Sequence, residues 1–524
     1  VPRSNPLLGG GDCFAHTARN DFVKEGITSH TPLAMTLSEE ATVTYDIANR
    51  KQVFVDWDLI EPGYGVAWGG AVTSWEMPFG VHLAVHPPRI DATPLVAADR
   101  PWETFINVYC TLFEDEGRFR LYYEPHYHPE QTQAEDLKAM LAYAESTDGV
   151  NWTKPEIGAL TFQDSRANNL VFGLEPALGR GAHGGTVFKD PCAPAHERYK
   201  LVHMGRENGV LCVFGAVSPD GLHWTAIQQP VLTDYMSDTQ TVVRFDPVKG
   251  RYVGFFRGWR GLMHGKWHGR RTIAYAETED FRNWPRPQEI VGPDALDTPD
   301  ADIYTNGYVP WPGTPDAHLM FPAFYQRSKD VLEVHLMTSR ASAGGWQRPS
   351  RQPMVPAGEP GSGWEGGVYA GCGLVALRPG EWSLPLGPQW HTHNQEHFTE
   401  GRPAVKPHRG YICRAIWRED GFTSLEAETE GGCTTVPLTF AGSRLTLNVW
   451  TRFGGEVRVE LAEASGQAVP GCSFAECDPI SGDRPEQTVT WNGQADVSAW
   501  QGKPMRLRFK LRRARLHAFG FVES

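Results

Sequence analysis

Five ionisable residues stand at or near the head of strand-like segments, spaced roughly sixty residues apart. They are Glu103 in "PWETFINVY", His183 in "HGGTVFKDP", Asp238 in "SDTQTVVRF", Asp302 in "ADIYTNGYV" and Glu365 in "GWEGGVYAG". Carboxylates gathered in one pocket hold different protonation states, because like charges raise some pKa values and leave others low. Such a set supplies a general acid together with a general base or nucleophile. The plain alternative is that each acid caps a surface turn; their shared phase favours a set. Trp102, Trp364, Tyr304 and Tyr369 flank the acids and offer flat faces on which a ring could stack, core packing being the other role open to them. His183, beside two glycines, suits ligand binding. Arg257 in "FFRGWRG" suits a carboxylate, sulfate or phosphate.

The elements that must position these residues read as strands. Runs such as "RFRLYYE", "RYKLVHMG" and "RYVGFFRG" are aromatic and β-branched and are bounded by Gly, Asp, Asn and Pro. A turn recurs among them: "AYAESTDGVNW", "GAVSPDGLHW" and "AYAETEDFRNW", with weaker copies in "LMTSRASAGGW" and "CRAIWREDGF". In the three full copies an Asp makes the turn and a Trp four residues later pins it. Hairpins recurring at this interval predict four-stranded blades, and five of them in a ring predict an all-β, five-bladed β-propeller. The innermost strand of each blade would point its leading end at the central cavity. The propeller is expected over 49–422, after an irregular extension over 1–48. Residues 51–61, "KQVFVDWDLIE", are expected to complete the last blade. From 423 to 524 the Asp–Trp signature stops and short alternating strands predict a β-sandwich.

The chain has 524 residues, enough for more than one core, and a formal net charge of −13. That charge, with no basic run, argues against a nucleic-acid partner. No stretch of 18 or more apolar residues is present, so no membrane span is expected. Nine scattered cysteines without a C-x-x-C pair predict reduced core thiols, not a zinc site or disulfide framework. The opening "VPRSNPLLGGG" lacks the apolar core of a signal peptide. A leader already removed would leave no trace, so both a cytoplasmic and a secreted location stay open.

A five-bladed propeller with hub carboxylates and a carboxy-terminal sandwich resembles the glycoside hydrolases of families 32, 43 and 68. The stretches "FVDWDLIEPGYGV", "HGGTVFKDP", "DTQTVVRFDP" and "TVPLTFAGSRLTLN" are similar to a group of bacterial glycosidases related to them. The chain departs from family 32: no W-x-N-D-P-N-G opening is present, and no E-C dipeptide supplies an acid in the propeller. "KDP" resembles that family's R-D-P motif and places Asp190 in the matching position, although Asp190 ends its strand. The resemblance implies architecture and reaction class: hydrolysis of a terminal sugar from an oligosaccharide or polysaccharide, without a cofactor. On that chemistry Asp238 or Glu103 is expected as nucleophile or base, Glu365 as acid, and Asp302 as a hydroxyl-binding or charge-stabilising group. A phosphorylase or transglycosidase is the alternative, with Arg257, Lys266, His268, Arg270 and Arg271 available for phosphate. A non-catalytic carbohydrate-binding protein is the third reading. Two histidine groups, Glu124 with His126 and His128, and His391 with His393 and His397, raise a metal alternative, read as chance clustering. A structural calcium or other divalent ion in the hub is a further possibility.

Overall fold

The computed structural model describes residues 44–66, 72–74, 77–127, 138–173, 181–261, 269–394 and 410–523. The architecture is all-β with a propeller-like arrangement of sheets. One antiparallel unit runs outward from Phe105–Asp115 through Arg118–Tyr127 and Leu141–Ser146 to Leu170–Phe172. A second runs from Thr186–Lys189 through Tyr199–Glu207 and Val210–Ser218 to Thr225–Ala226. The third comprises Val242–Asp246, Arg251–Arg260, Arg270–Thr278 and Gln288–Val291. The remaining ring strands, Ala301–Ile303 to Ser339 and Gly367–Ala370 to Arg418, form one hydrogen-bonded sheet with a three-stranded satellite. The ring therefore holds four large sheets, not the five separate ones expected. A single parallel pair, Leu332 with Gly367, joins the last two groups of strands.

The recurrent turn closes each of the first three units. The Ser146 hydroxyl accepts the Gly149 N–H at 2.9 Å while Asp148 accepts those of Val150 and Asn151 at 2.8 and 2.7 Å. Ser218 and Asp220 repeat this for Gly221, Leu222 and His223 at 2.9, 2.8 and 2.8 Å. In the third copy Thr278 and Asp280 take the Asp280 and Arg282 N–H groups. Trp224 and Trp284 then donate back to Gly221 and Phe281 carbonyls at 3.0 and 2.9 Å. The side chain satisfies the turn's own backbone donors, which is why the motif is readable as a local pattern.

Ring closure departs from expectation. Arg89–Ala97 pairs with Tyr411–Arg418 and completes the last group. Residues 51–61 do not close the ring: Gln52 and Val53 pair with Phe519 and Ala518 of the carboxy-terminal sheet. The segment is held there by Lys51 on Asp420 at 2.8 Å, Thr423 on the Phe54 carbonyl at 2.7 Å and Thr338 on that of Val55 at 2.9 Å. Asp56 faces inward to Arg340 at 3.1 Å, and Asp58 is exposed.

The strands of the carboxy-terminal region are hydrogen-bonded into one eight-stranded sheet. Tyr45–Ala48, Gln52–Val53 and His82–Val85 join it from the amino-terminal side. Its long strands change register between Ala427 and Glu430 and between Thr451 and Glu456. Such irregularities bend a strand, so one sheet folds over its own core of Phe54, Leu447, Val459, Phe509 and Phe519. The eight described cysteines are unpaired, and no helix among the described residues is long and apolar enough to cross a membrane.

Where the first and last units meet, the Cys372 N–H donates to the Cys110 carbonyl and the Leu112 N–H to the Cys372 carbonyl, each at 2.8 Å, and Gly373 presses on Leu112. Gly373 has φ +106°, and a Cβ there would fall 1.8 Å from the Leu112 carbonyl oxygen. Gly373→Ala is expected to lower the unfolding free energy by about 3 kcal/mol or more, measured by urea denaturation.

Candidate active site

Five innermost segments bring one side chain each to a common axis. Tyr109 comes from Phe105–Asp115, His183 precedes Thr186–Lys189, and Asp238 precedes Val242–Asp246. Tyr304 follows Ala301–Ile303, and Tyr369 lies in Gly367–Ala370. The rings of Tyr109 and His183 are 5.4 Å apart, those of Tyr109 and Tyr369 6.4 Å, and those of Tyr369 and Tyr304 5.9 Å. His183 Nε2 lies 3.3 Å from Asp238 Oδ1, and the Thr239 hydroxyl donates to the Tyr304 carbonyl at 3.2 Å. The circuit closes around the axis.

A buried carboxylate behind the circuit sets its charge. Glu124, on Arg118–Tyr127, accepts from Asn107 Nδ2 at 2.8 Å, His126 Nε2 at 2.6 Å, His183 Nδ1 at 2.8 Å and the Gly184 N–H at 2.8 Å. Gly184 permits this approach: its φ is +67°, and a Cβ would stand 2.2 Å from the Thr239 carbonyl oxygen. Burial alone would raise the Glu124 pKa, but the charge of His183 and the hydrogen bonds of both histidines hold it well below the usual carboxylate range. Burial would likewise strip His183 of its proton, but Glu124 and Asp238 on its two nitrogens push its pKa up to about 10. The imidazolium thus bridges a fully buried carboxylate and a partly exposed one, Asp238 having 15% of its side chain accessible. Burial raises the hydroxyl pKa of Tyr109 and Tyr369, keeping both neutral donors.

The other expected residues occupy different places. Glu103 is fully buried and takes Lys154 Nζ at 2.8 Å, the Tyr123 hydroxyl at 2.6 Å, and the N–H groups of Asp99 and Arg100 at 2.8 and 3.0 Å. Every acceptor position is used by the fold, so Glu103 is corrected from candidate nucleophile to structural ion pair. Trp102 is core, packing on Phe162 and donating to Asn169 at 2.9 Å. Asp302 is also fully buried, clamped by Arg271 N and Nη1 at 2.9 and 2.7 Å and by Arg327 Nε and Nη2 at 2.8 and 2.9 Å. It positions Arg271 and has no face left for a hydroxyl. Glu365 leads the Gly367–Ala370 strand as expected. Backbone N–H groups of its own loop, including those of Gly363 and Gly361, outweigh desolvation and lower its pKa, while Oε2 is shielded without a partner. Trp364, half-buried, donates to the Tyr411 hydroxyl at 2.8 Å. Arg257 is buried against Tyr304.

Among the described residues, Glu124, His126 and His183 bring donor atoms within 4.8 Å of one another, a set able to hold a divalent ion. Their mutual hydrogen bonds satisfy them as they stand. Of the first histidine grouping, Glu124 and His126 belong to this cluster with His183 as the third member, and His128 lies outside the described residues. His391 and His393 do not chelate together: their Nδ1 atoms meet the Thr392 carbonyl at 2.9 Å and the Tyr369 hydroxyl at 3.2 Å. His397, Lys266 and His268 lie outside the described residues. Arg270 is turned outward to the Pro299 carbonyl at 2.8 Å, which separates it from Arg271. Sequence reasoning missed Tyr109 and the hub role of Glu124; "YYEPHYH" carried the only signal for the latter.

No family model matches the chain, and no curated protein matches it. Among solved structures, one described as a glycoside hydrolase is similar at 12% identity and TM-score 0.45, covering 63% of this chain and 92% of its own. A family 43 arabinoxylan arabinofuranohydrolase from Bacillus subtilis is similar at 14% identity and TM-score 0.39, covering 84% of this chain and 99% of its own. A β-1,2-mannobiose phosphorylase from Listeria innocua is similar at 12% identity and TM-score 0.44, covering 64% and 97%. None of these scores assigns a reaction.

Two outcomes separate the hub from its supports. Glu103→Gln removes one charge of a buried pair and is expected to cost about 3–5 kcal/mol in denaturant unfolding while leaving ligand binding at the hub intact. The raised His183 pKa gives stability that is complete below about 6.5 and is lost as pH rises to about 10. Glu124→Gln is expected to lower the His183 pKa, followed by imidazole NMR, and to flatten the fall in melting temperature across that window.

Proposed function

We propose that this chain is a carbohydrate-active enzyme of the glycoside hydrolase type, removing a terminal sugar at the axis of the ring. The carboxy-terminal sheet serves as a brace. The observation that carries the reading is Asp238: a partly exposed carboxylate held against an imidazolium whose ring packs on Tyr109.

Glycosidic cleavage needs an ionised carboxylate on one face of the sugar and a proton donor at the leaving oxygen. Asp238 fills the first role. His183, charged and bonded to it, keeps it ionised and fixes its orientation, and Glu124 in turn fixes His183. Tyr109, Tyr304 and Tyr369 supply ring faces and hydroxyl groups for the sugar. With Glu103 and Asp302 saturated, Glu365 is the remaining member of the expected acids for proton donation. Its shielded Oε2 is the place for the proton, and a substrate covering the loop would add the desolvation that favours the protonated form.

On a panel of aryl glycosides, Asp238→Asn is expected to lower kcat by about 10²–10⁴-fold with the fold retained by circular dichroism. Glu365→Gln is expected to slow substrates with poor leaving groups more than activated aryl glycosides. Full activity of Asp238→Asn on every substrate turned over by the native protein would withdraw the assignment.

A further inference from the structure

Arg257 is a buried cation with no carboxylate beside it among the described residues. It lies in Arg251–Arg260, is 1% exposed, and sets its guanidinium 4.2 Å from the centre of the Tyr304 ring and 5.8 Å from that of Trp259. Nη2 donates to the Tyr304 carbonyl at 2.9 Å. Nε and Nη1 are shielded from solvent and have no acceptor. Among the described residues no carboxylate lies within ion-pair distance of it; Asp238 pairs with His183, and Asp302 is shared by Arg271 and Arg327. A guanidinium withdrawn from water with two donors unanswered is costly, and native interiors rarely leave such a group without a purpose.

A second guanidinium stands on the same aromatic rings. Arg271 lies 4.8 Å from the Tyr304 ring centre and 5.5 Å from that of Trp259. Asp302 takes its Nη1 and backbone N–H, while its Nε, also shielded, has no acceptor. Arg271 also lines an open cavity of about 620 Å³ together with Tyr325, Lys329, Asp330 and Asn394. Two forked donors sharing Tyr304, one of them with no carboxylate partner among the described residues, are of the kind that carboxylate and phosphate groups bind.

We propose that Arg257 and Arg271 form an oxyanion site at the hub, occupied by an anionic group that enters with the substrate. This rests on the sugar-cleaving reading above and narrows its substrate class. The oxyanion has two chemical sources: the carboxylate of a uronic acid, or inorganic phosphate brought in beside a neutral sugar. In the second case a phosphate oxygen bonds to the anomeric carbon as the glycosidic C–O bond breaks, and the leaving oxygen takes a proton.

The test is calorimetric titration of the full chain with glucuronate, galacturonate, inorganic phosphate and glucose, alongside Arg257→Lys and Arg257→Met. At least one anion is expected to bind tenfold or more tightly than glucose, and Arg257→Lys, which keeps charge but loses the fork, is expected to weaken that anion about tenfold. Preference for a uronate or for phosphate identifies the source. Without ligand, Arg257→Met is expected to melt at or above the native temperature, because it removes an uncompensated buried charge; a purely structural arginine would give the reverse. Failure of every anion to exceed glucose, or a clear drop in the melting temperature of Arg257→Met, overturns the proposal. Binding is read without turnover. An anion that binds while no glycoside is cleaved leaves this site standing and removes the hydrolase reading. Turnover of neutral glycosides with no anion bound does the opposite.

Discussion

One imidazole ties three units of the ring together at the axis. Glu124 from the first unit and Asp238 from the third meet the two nitrogens of His183 from the second. A carboxylate as deeply buried as Glu124 persists only where charge and hydrogen bonds replace the water it gave up. It receives four donors, two from imidazole rings, one from an amide side chain and one from a backbone N–H. Each interaction constrains the next: the glycine geometry at Gly184 admits the backbone donor, that donor fixes Glu124, Glu124 fixes His183, and His183 aims Asp238. Asp238 and His183 keep 15% and 17% of their side chains accessible, whereas Glu124 behind them is buried.

Charge is divided across the axis. On the side of the first three units, two carboxylates share one imidazolium. On the side of Tyr304, Arg271 and Arg327 share the carboxylate of Asp302, and Arg257 donates to the Tyr304 carbonyl. The tyrosines stand between, uncharged because burial raises their hydroxyl pKa at Tyr109 and Tyr369. A ligand lying across this boundary meets an anion at one end and cations at the other, so the field itself would orient it before any close contact forms.

The ring is not free-standing. Asp420, at the turn where the last ring strand leaves for the carboxy-terminal sheet, receives Lys51 at 2.8 Å, the Trp311 indole at 2.9 Å and Asn448 at 3.2 Å. Those groups come from the amino-terminal segment, the ring and the carboxy-terminal sheet. This explains why "CRAIWREDGF" was a partial copy of the turn motif: its Asp binds three separate parts of the chain, whereas Asp148 and Asp220 bind their own backbone. It also explains why 51–61 was assigned to the wrong sheet. A strand's composition reports burial and not which neighbouring strand provides it.

What the sequence disclosed follows the range of the interactions involved. The Asp turns were legible because their hydrogen bonds close within a few residues. His183 and Asp238, each just ahead of a strand of its sheet, meet at 3.3 Å as neighbouring members of the expected set. Glu103 and Asp302 were misplaced by six and two positions relative to Tyr109 and Tyr304, and the reason is electrostatic. Five ionisable groups on one narrow axis would repel unless several stayed neutral, and each neutral acid would need its own buried partner. The fold resolves this by giving three of the five axial positions to tyrosine, whose hydroxyl binds without charge. The displaced carboxylates went to lysine and arginine partners, contacts that join residues 51 apart for Glu103 and 31 apart for Asp302. A pattern search that weights acids over tyrosines finds the right strands and the wrong residue on them. Crowding at the axis, a property of the closed ring, decides between the two.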